Sequence, residues 1–370
     1  MKRSPFFCDI AAANPVLANV QGWEVANQFT TVEEEHTAVR ERVGIFDWST
    51  TGEFEVCGPD ALALVQKVIV NDASRMEVNQ VLYTTILNDD GDVVSDITVY
   101  RMAEDRYMLM TAWGSNAANA RPEYDLLVEY GAGMNATITD VSSGLGLLAI
   151  QGPQSKALLR ELTDADLDSQ KYMRAVPATA VAARVLISRT GYTGELGYEV
   201  LLPAEHAHDF WVALMAAGEK YGVALCGMTA AFGLRMEKGY IMRFDFVGRT
   251  PYEIGLGWTV KLNKPDFIGR DALIRRREAG FTSRLMSLVI QDGYMPANGD
   301  AIYCDGKQVG TVTSAAFGYT IGKAVALGFV PNDLAQSGVE VQIRSEAGEA
   351  HPAIVERRPL YDPDAARIRQ

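Results

Sequence analysis

Cysteine is scarce in this sequence, with four residues in a chain of 370. Cys8, Cys57, Cys226 and Cys304 are far apart, and no two of them form a CxxC pair. A disulfide framework and a cysteine metal site are therefore not expected, and a reducing cytoplasm suits the chain. The four histidines are equally scattered, so we expect no metal site.

The sequence also lacks a long apolar run and an excess of positive charge. No run approaches the roughly 20 residues that a membrane-spanning helix requires, and the N-terminus has no apolar core of a signal peptide. The formal net charge of −13 opposes binding to nucleic-acid phosphates. We therefore expect neither nucleic acid nor a membrane as a partner, although a small anionic ligand needs only a local basic pocket.

The chain is long enough for two or three domains, and its pattern changes along its length. A strand followed by Gly-Pro and a helix occurs twice, at Gly58-Pro59 and Gly152-Pro153, which predicts two related α+β units. From about Leu285, short strands follow one another at regular intervals, which predicts a small antiparallel barrel or jelly roll. The predicted domains are residues 1–140, 141–280 and 281–370, with the first two interleaved.

Two apolar runs in the first third of the chain predict a β-hairpin. Val81 to Leu87 and Val93 to Tyr100 flank the turn sequence Asn88-Asp-Asp-Gly91. Asp96 lies inside the second run, where an acid costs free energy unless it is solvated or has a partner. On the pattern alone, a hydrogen-bonded structural aspartate and a functional one are equally good interpretations. Farther along, residues 251–262 are predicted to form another strand.

A glycine-rich stretch in the middle of the chain carries acidic and aromatic side chains. It runs from Ser188 to Glu199 between two strand-like runs, with glycines at 191, 194 and 197. Glycine permits a positive φ and a close approach to the backbone. Tyr192 and Glu195 on such a crossing suit a flat, nitrogen-rich ligand, because a carboxylate accepts two parallel hydrogen bonds from an N–C–N edge. On this stretch alone, a β-hairpin with a bulged loop is the better interpretation.

Together these segments resemble the tetrahydrofolate-dependent aminomethyltransferase family, which includes the T-protein of the glycine cleavage system. The matching motifs are Arg42-Val-Gly-Ile-Phe-Asp47, Gln151-Gly-Pro153, Ser188-Arg-Thr-Gly-Tyr-Thr-Gly-Glu195, Leu234-Arg-Met-Glu237 and Gly255-Leu-Gly-Trp258. The resemblance runs nearly end to end. It implies an α+β fold with three domains in a cloverleaf: two α+β (ferredoxin-like or Greek-key) domains and a C-terminal antiparallel β-barrel around a central folate site.

The resemblance also implies tetrahydrofolate as the cofactor and assigns roles to matching residues. Asp96, the predicted catalytic residue, falls on the acid beside N5 and N10 of the folate, where it orders the pterin, stabilises positive charge and relays a proton. Tyr83 and Tyr100 fall at positions lining the pterin and benzoyl groups, and Glu195 falls on the carboxylate that holds the amino-pyrimidine edge. The predicted cofactor-binding residues are Tyr83, Asp96, Tyr100, Tyr192, Glu195 and Trp258.

Departures from the family pattern lie where the one-carbon donor is expected. Ala231 and Phe232 stand where the family has an arginine and an acid, which makes this side of the pocket more apolar and less charged. The predicted donor pocket contains Trp48, Thr50, Ala231 and Phe232. We therefore expect a one-carbon transferase that acts as a tetrahydrofolate-dependent demethylase or methyltransferase on a small methylated donor, such as a methoxy-aromatic, a methylamine or a sulfonium compound.

Three alternatives use the same folate site. The first is a glycine cleavage T-protein, which takes an aminomethyl group from a lipoylated carrier protein. The second is a folate-binding subunit that works with a separate flavoprotein dehydrogenase, since residues 234–240 look like the folate-binding halves of sarcosine and dimethylglycine dehydrogenases. The third is a non-catalytic folate-binding protein, which the absence of a cysteine after Lys238-Gly239 disfavours. The sequence leaves the donor, the product and the oligomeric state open.

Overall fold

The computed structural model describes residues 1–111 and 122–370. Two large β-sheets, a two-stranded hairpin and a closed β-barrel contain the strands, and helices pack on the sheets. The first elements are α1 (Phe7–Ala12), β1 (Val16–Val20), β2 (Trp23–Gln28), α2 (Val32–Glu41) and β3 (Val43–Asp47). Thr31 begins α2 with a capping box in which Glu34 is its partner.

The first large sheet is antiparallel and carries the predicted β-hairpin. Its elements are β4 (Glu53–Cys57), α3 (Ala61–Val68), β5 (Val81–Leu87), β6 (Val93–Ala103), β7 (Arg106–Thr111), α4 (Pro122–Gly131) and β8 (Thr137–Asp140). The strand order is β5-β6-β7-β4-β8. Since β5 pairs directly with β6 around the Asn88–Gly91 turn, the predicted hairpin is confirmed.

The second large sheet contains the glycine-rich stretch. Its later elements are β9 (Leu145–Gln151), α5 (Ser155–Arg160), β10 (Ala175–Ala180), β11 (Ala183–Ser188), β12 (Gly197–Pro203), α6 (Ala207–Gly218) and β13 (Val223–Leu225). The order is β10-β11-β12-β9-β3-β13, so β3 lies in a sheet formed mainly by later strands. Strand β3 pairs antiparallel with β9 and parallel with β13. The domain limits near residues 140 and 280 stay predictions.

The repeat of strand, Gly-Pro and helix is present in both sheets. Strand β4 leads into α3 through Gly58 with a φ of 125°, and β9 leads into α5 through Gly152 with a φ of 128°. A Cβ atom at Gly58 would lie 2.7 Å from the carbonyl oxygen of Asn135, and one at Gly152 would lie 2.5 Å from that of Arg42. Both turns therefore require glycine, because the backbone conformation and the close approach each exclude a side chain.

The segment between the second sheet and the barrel contains two helices and an irregular loop. The helices are α7 (Met228–Lys238) and α8 (Arg270–Ala279). The strand predicted at 251–262 is wrong, since these residues form turns and the short 3₁₀ helix Gly257–Thr259. Gly255 has a φ of 77°, which ends any extended run, and Ile254 is buried in an apolar cluster beside the barrel. The apolar residues of 251–262 other than Trp258 are therefore buried or partly buried because successive turns pack against the barrel, and they do not form one face of a strand.

The last part of the chain forms a closed antiparallel barrel. Its strands are β14 (Ser283–Ile290), β15 (Ala301–Cys304), β16 (Lys307–Gly318), β17 (Lys323–Pro331), β18 (Val339–Arg344) and β19 (Ala350–Glu356). They close in the order β14-β17-β16-β15-β18-β19. Asp305 and Gly306 both have positive φ, as a two-residue hairpin turn requires. The predicted fold class, two α+β units and a C-terminal antiparallel barrel, is confirmed.

The two large sheets share one apolar core. It combines Tyr100 and Met108 of the first sheet with Leu186 and Leu201 of the second, and with Leu234 of α7, and all five are buried. Alternate side chains of a strand point to opposite faces of its sheet. Polar residues that share a strand face with these core residues therefore point toward the junction of the two sheets and α7.

Candidate functional site

The predicted catalytic residue, Asp96, lies on β6 opposite Thr85 of β5. Tyr83 lies on the same face of β5, and its hydroxyl donates a hydrogen bond of 2.8 Å to Asp96 Oδ2. The other oxygen, Oδ1, is buried and has no hydrogen-bond partner among the described residues. The strand pair therefore presents a carboxylate with one fixed oxygen and one unsatisfied oxygen.

Burial changes the proton affinity of both members of this pair. Removal from water raises the pKa of Asp96 to about 6, the negative charge of Asp245 adds to the rise, and the hydrogen bond from Tyr83 opposes it. Burial and the charge of Asp96 raise the pKa of the Tyr83 hydroxyl well above its usual value, so Tyr83 stays a hydrogen-bond donor. Asp96 therefore gains and loses a proton near neutral pH, as a general acid–base group must.

Trp258 and Tyr83 form a stacked aromatic pair beside Asp96. Their ring centroids are 6.2 Å apart and the ring planes differ by 25°. Trp258 is 61% exposed, and its loop is fixed on α3 because Lys264 Nζ donates a hydrogen bond of 2.6 Å to the carbonyl oxygen of Gln66. A large aromatic plate that is open to solvent beside a buried acid suits a flat ligand with polar edges.

A second aromatic group comes from the glycine-rich loop and the end of α7. Tyr192 stacks on Tyr240 with ring centroids 5.6 Å apart, and the Tyr192 hydroxyl donates a hydrogen bond of 2.7 Å to the carbonyl oxygen of Ile241. After burial and Asp96, the electrostatic influence of Tyr192 and Tyr240 is the next cause of the raised pKa of Tyr83. The two aromatic groups therefore lie close to each other across the site.

A buried ion pair next to these groups joins α7 to Asp245, in the turn between α7 and the barrel. Arg235 Nη1 lies 2.7 Å from Asp245 Oδ2, and both side chains are 0% exposed. Ser314 of β16 donates a hydrogen bond of 2.8 Å to Asp245 Oδ1, and the ring of Phe232 covers the guanidinium at 4.2 Å. Asp245 is the residue of this pair whose negative charge adds to the raised pKa of Asp96.

Tyr100 lies inside the core between the sheets rather than at an exposed surface. It is 1% exposed, and its hydroxyl contacts Met110 Sδ at 3.7 Å. Burial raises the pKa of this hydroxyl, and the charge of Glu199 adds to the rise. The role of Tyr100 in ligand binding stays a prediction, and the contacts of its side chain are those of a core residue.

Glu195 is buried in the glycine-rich loop, and both of its carboxylate oxygens have partners. Oε1 accepts a hydrogen bond of 2.9 Å from Arg367 Nε, and Oε2 accepts one of 2.7 Å from the Tyr361 hydroxyl. Arg40 Nη1 lies 3.8 Å from Oε2. Ligand binding by Glu195 stays a prediction, and an N–C–N edge would have to compete with these three donors.

Glu199, the last residue of the glycine-rich stretch, is a further candidate that is not among the residues predicted from the sequence. It shares a face of β12 with Leu201 and therefore points toward the junction of the two sheets. The Thr190 hydroxyl donates a hydrogen bond to Oε2, and Oε1 has no donor in the parts of the chain that the structure describes. Burial raises the pKa of this carboxyl group to about 7, although the residue as a whole is partly exposed.

The predicted donor-pocket residues do not share one wall. Trp48 and Ala231 are buried in the core between the sheets. Thr50 is also buried, and its hydroxyl has no hydrogen-bond partner within residues 1–111 and 122–370. Phe232 packs in a different cluster, beside the barrel, where it covers Arg235. A pocket formed by all four residues therefore stays a prediction, with Ala231 and Phe232 on different sides of α7.

Residues of the last segment contact the glycine-rich loop and the end of α7, and local sequence patterns do not signal these contacts. Arg367 reaches Glu195 across 172 residues of sequence. Arg358 donates a hydrogen bond of 2.9 Å to the carbonyl oxygen of Gly239, and burial lowers its pKa to about 10. Such contacts depend on the path of the chain in space, and only the whole fold reveals them.

Across the described residues, no group of three or more His, Cys, Asp and Glu side chains is placed to hold a metal ion. No helix in the same parts of the chain is long and apolar enough to cross a membrane.

Known protein families account for nearly the whole chain. The GCVT N-terminal domain matches residues 8–264, and the glycine cleavage T-protein C-terminal barrel domain matches residues 284–362. A solved structure of the glycine cleavage system aminomethyltransferase T from Bartonella henselae superposes with a TM-score of 0.90 at 26% identity and covers 98% of both chains.

Curated proteins of similar sequence also match nearly the whole chain. An aminomethyltransferase from Halothermothrix orenii is 37% identical over 93% of this chain and 95% of its own length. One from Desulforamulus reducens is 36% identical over 98% of each chain. Because the family domains and these relatives span almost every element of the fold, the chain belongs to the glycine cleavage T-protein family and is a one-carbon transferase.

Proposed function

We propose that the chain is a tetrahydrofolate-dependent aminomethyltransferase that receives its one-carbon group from a lipoylated carrier protein. The observation that carries the proposal is the Asp96 site: a buried carboxylate with one unsatisfied oxygen and a pKa of about 6, next to the stacked pair of Tyr83 and Trp258. The names of the relatives favour this activity over the predicted demethylation.

The residues of the site fit a reduced folate, which has a flat pterin with nitrogen-rich edges. Tyr83 and Trp258 offer an aromatic plate, and the unsatisfied Oδ1 of Asp96 offers an acceptor beside it. Glu199 offers a further carboxylate oxygen at the junction of the sheets. Tetrahydrofolate supplies N5, the nucleophile that takes up the one-carbon group.

Each protein group has a separate task in this proposal. Asp96 accepts or returns a proton at Oδ1, and its negative form stabilises positive charge on nearby nitrogen. Tyr83 holds Oδ2 and so fixes the direction of Oδ1. Tyr192 and Tyr240 close the opposite side, which orients the ligand for attack and excludes water.

Of the two carboxylates in the glycine-rich stretch, Glu199 is the better candidate for the pterin edge. Its Oε1 is free of donors among the described residues, whereas both oxygens of Glu195 are engaged by Arg367 and Tyr361. Burial raises the pKa of Glu199 to about 7, and a ligand that donates hydrogen bonds to the carboxylate would favour its charged form and lower this pKa. Glu195 then acts as a support of the loop.

The second candidate function is transfer from a small methylated donor to N5 of tetrahydrofolate. The observation in its favour is the apolar pair Ala231 and Phe232, with Phe232 lying over the Arg235 guanidinium. The ring of Phe232 shields the buried guanidinium of Arg235, which an acidic side chain at position 232 would otherwise reach. A flavoprotein dehydrogenase that supplies the one-carbon group is a third arrangement with the same folate site.

The experiment that separates these functions is a donor comparison with purified protein and tetrahydrofolate. One arm contains an aminomethyl-loaded lipoylated carrier, and the other arms contain a methoxy-aromatic, a methylamine or a sulfonium compound. Mass spectrometry distinguishes 5,10-methylene-tetrahydrofolate from the 5-methyl product. We expect methylene product only with the carrier; methyl product from a small donor, with nothing from the carrier, would overturn the proposal in favour of the second candidate.

The role of Asp96 is tested in the same assay with a conservative substitution. Asp96→Asn should lower the turnover number by ~10²–10⁴, because it removes the acid–base group while keeping the Tyr83 contact. Asp90→Asn, an exposed acid in the turn of the same hairpin, is the matched control and should keep full activity. Equal activity of the two variants would refute the assignment of Asp96.

A further inference from the structure

A segment after the barrel, residues 357–370, runs back across α7 to the glycine-rich loop; we call it the strap. The backbone N–H groups of Leu360 and Tyr361 donate hydrogen bonds of 3.0 and 2.9 Å to the carbonyl oxygen of Glu237, in the last turn of α7. Arg358 is anchored on the carbonyl oxygen of Gly239. The path of the strap is therefore fixed at the end of this helix.

The strap provides the two closest donors to Glu195. The Tyr361 hydroxyl binds Oε2 at 2.7 Å, and Arg367 Nε binds Oε1 at 2.9 Å. Arg367 is itself oriented, because its Nη2 donates a hydrogen bond of 2.9 Å to the carbonyl oxygen of Arg40. Each of the two carboxylate oxygens of Glu195 is thus held by a different strap residue.

Beneath the loop, Arg40 connects Glu195 to a second buried carboxylate. Its Nη2 lies 2.8 Å from Glu237 Oε2, its Nη1 donates a hydrogen bond of 2.8 Å to the carbonyl oxygen of Thr193, and its guanidinium lies 3.9 Å from the ring centroid of Tyr361. The loop backbone, α2 and α7 therefore meet at one guanidinium group.

The charges around Arg40 show why Arg367 is needed. Without Arg367, the guanidinium of Arg40 would be shared between Glu195 and Glu237, at 3.8 and 2.8 Å. Glu237 also has His36 Nε2 at 3.2 Å, so Glu195 is the carboxylate that would lose its close cationic partner. With Arg367 there is one guanidinium for each carboxylate. An uncompensated buried charge is costly, so the loop would shift to let Glu195 reach water.

A second contact holds the loop from the other side. Lys238 Nζ lies 2.9 Å from Asp362 Oδ2 in a buried ion pair between α7 and the strap. The Lys238 side chain passes so close to Gly194 that a Cβ atom there would lie 2.8 Å from it. The loop that carries Tyr192 is thus enclosed between α7 and the strap.

We propose that Tyr361 and Arg367 are positioning residues that hold Glu195, and through it the loop 189–196, in the conformation that binds the ligand. The loop carries Tyr192 and leads into Glu199, so its position sets two contacts of the site. This inference rests on the proposed function for the ligand, a reduced folate, but the conformational part concerns the protein alone.

The experiment measures two properties of the full chain with Arg367→Leu, Arg367→Lys and Tyr361→Phe. Backbone hydrogen exchange of the loop 189–196 is measured without ligand, and the affinity for 5-formyl-tetrahydrofolate is measured by calorimetry. Arg357→Leu, an exposed arginine of the same strap, is the matched control. We expect Arg367→Leu to speed exchange and weaken binding by about tenfold, with Tyr361→Phe weaker in both effects and Arg367→Lys close to the unmodified protein.

The outcomes separate this inference from the proposed function. Loop exchange in Arg367→Leu equal to that in Arg357→Leu would overturn the inference, whether or not the protein binds a folate. Faster exchange with unchanged folate affinity would overturn the link to the ligand. If the unmodified protein does not bind the folate while exchange still responds to Arg367→Leu, the proposed function fails and the positioning of the loop stands.

Discussion

Glu195 and Glu199 belong to the same hairpin, yet the structure gives them opposite surroundings. Glu195 sits in the loop with Arg367, Tyr361 and Arg40 around its carboxylate. Glu199 sits on β12, and its Oε2 accepts a hydrogen bond from the hydroxyl of Thr190. One carboxylate is neutralised by cations, whereas burial shifts the pKa of the other to about 7.

These surroundings suit two similar residues of one motif to different roles: support of the loop for Glu195 and, in the proposed function, ligand binding for Glu199. A carboxylate that is surrounded by donors stabilises the fold but has little capacity left for a ligand. A carboxylate with few donors costs stability, and a ligand that donates hydrogen bonds recovers part of that cost. On this basis the position with the weaker protein contacts is the one to test for function.

The largest effect is expected from the removal of the supporting carboxylate. Glu195→Ala removes the carboxylate partner of Arg367, whereas Arg40 keeps Glu237 at 2.8 Å. It should lower the free energy of unfolding by an amount near the lower end of ~3–5 kcal/mol, because Arg367 is partly exposed. Urea unfolding followed by circular dichroism measures this change. A loss no greater than that of Glu199→Gln would contradict the supporting role of Glu195.

The next effect concerns binding rather than stability. Glu199→Gln should weaken the affinity for 5-formyl-tetrahydrofolate by ~10- to 100-fold, since a charged hydrogen-bond acceptor contributes ~1.5–3 kcal/mol. Calorimetric titration provides the affinity, and urea unfolding at pH 7 should show little loss of stability. Unchanged affinity in this variant would return the ligand-binding role to Glu195.

The pH dependence of stability should also differ between the two residues. The folded-state pKa of Glu199, about 7, lies above its ordinary value of 4.5, so the folded state binds this proton more tightly than the unfolded state does. Its contribution therefore favours folding at low pH and is lost as the pH rises from 4.5 through 7.

The measurement is a set of urea unfolding curves between pH 5 and pH 8. Burial also raises the pKa of Glu53 to about 8 and that of Asp96 to about 6, so the wild type alone has a mixed slope. The difference in stability between the wild type and Glu199→Gln at each pH isolates the contribution of Glu199. Parallel stability curves for the two proteins would contradict the raised pKa of Glu199.

The smallest effect is expected from Thr190→Val, which removes the hydroxyl that contacts Glu199. The lost hydrogen bond should cost ~0.5–1.5 kcal/mol and raise the pKa of Glu199 further, because that bond favours the charged carboxylate. The loss of stability should therefore still begin near pH 4.5, but it should continue to a higher pH than in the wild type. The same substitution in the Glu199→Gln background is the control and should leave the pH dependence unchanged.

The sequence allowed the fold and the general location of the site to be predicted. The hairpin around Asp96, the repeated Gly-Pro turns and the barrel follow from local patterns, because alternation, turn residues and glycine conformations act over a few residues. The glycine-rich stretch likewise showed where carboxylates and aromatic rings would meet. Its own sequence did not distinguish Glu195 from Glu199, since the deciding partners, Tyr361 and Arg367, lie in the strap.

Two other predictions failed or stayed open for the same physical reason. Residues 251–262 have a strand-like apolar pattern, but Gly255 turns the chain and the apolar side chains are buried in successive turns. Ala231 and Phe232 are neighbours in sequence, yet the helix directs them to different clusters. Tertiary packing decides such cases, and local propensity does not.

The position of β3 has a consequence for how the protein is made. This strand ends at residue 47, but its partners begin at residues 145 and 223, so a nascent chain exposes both of its edges until those segments leave the ribosome. A fragment that ends after the first sheet would contain the apolar strand β3 without its two neighbours, β9 and β13. The sheet that contains β3 can therefore be completed only after residue 225 has been synthesised, although β3 itself lies near the start of the chain.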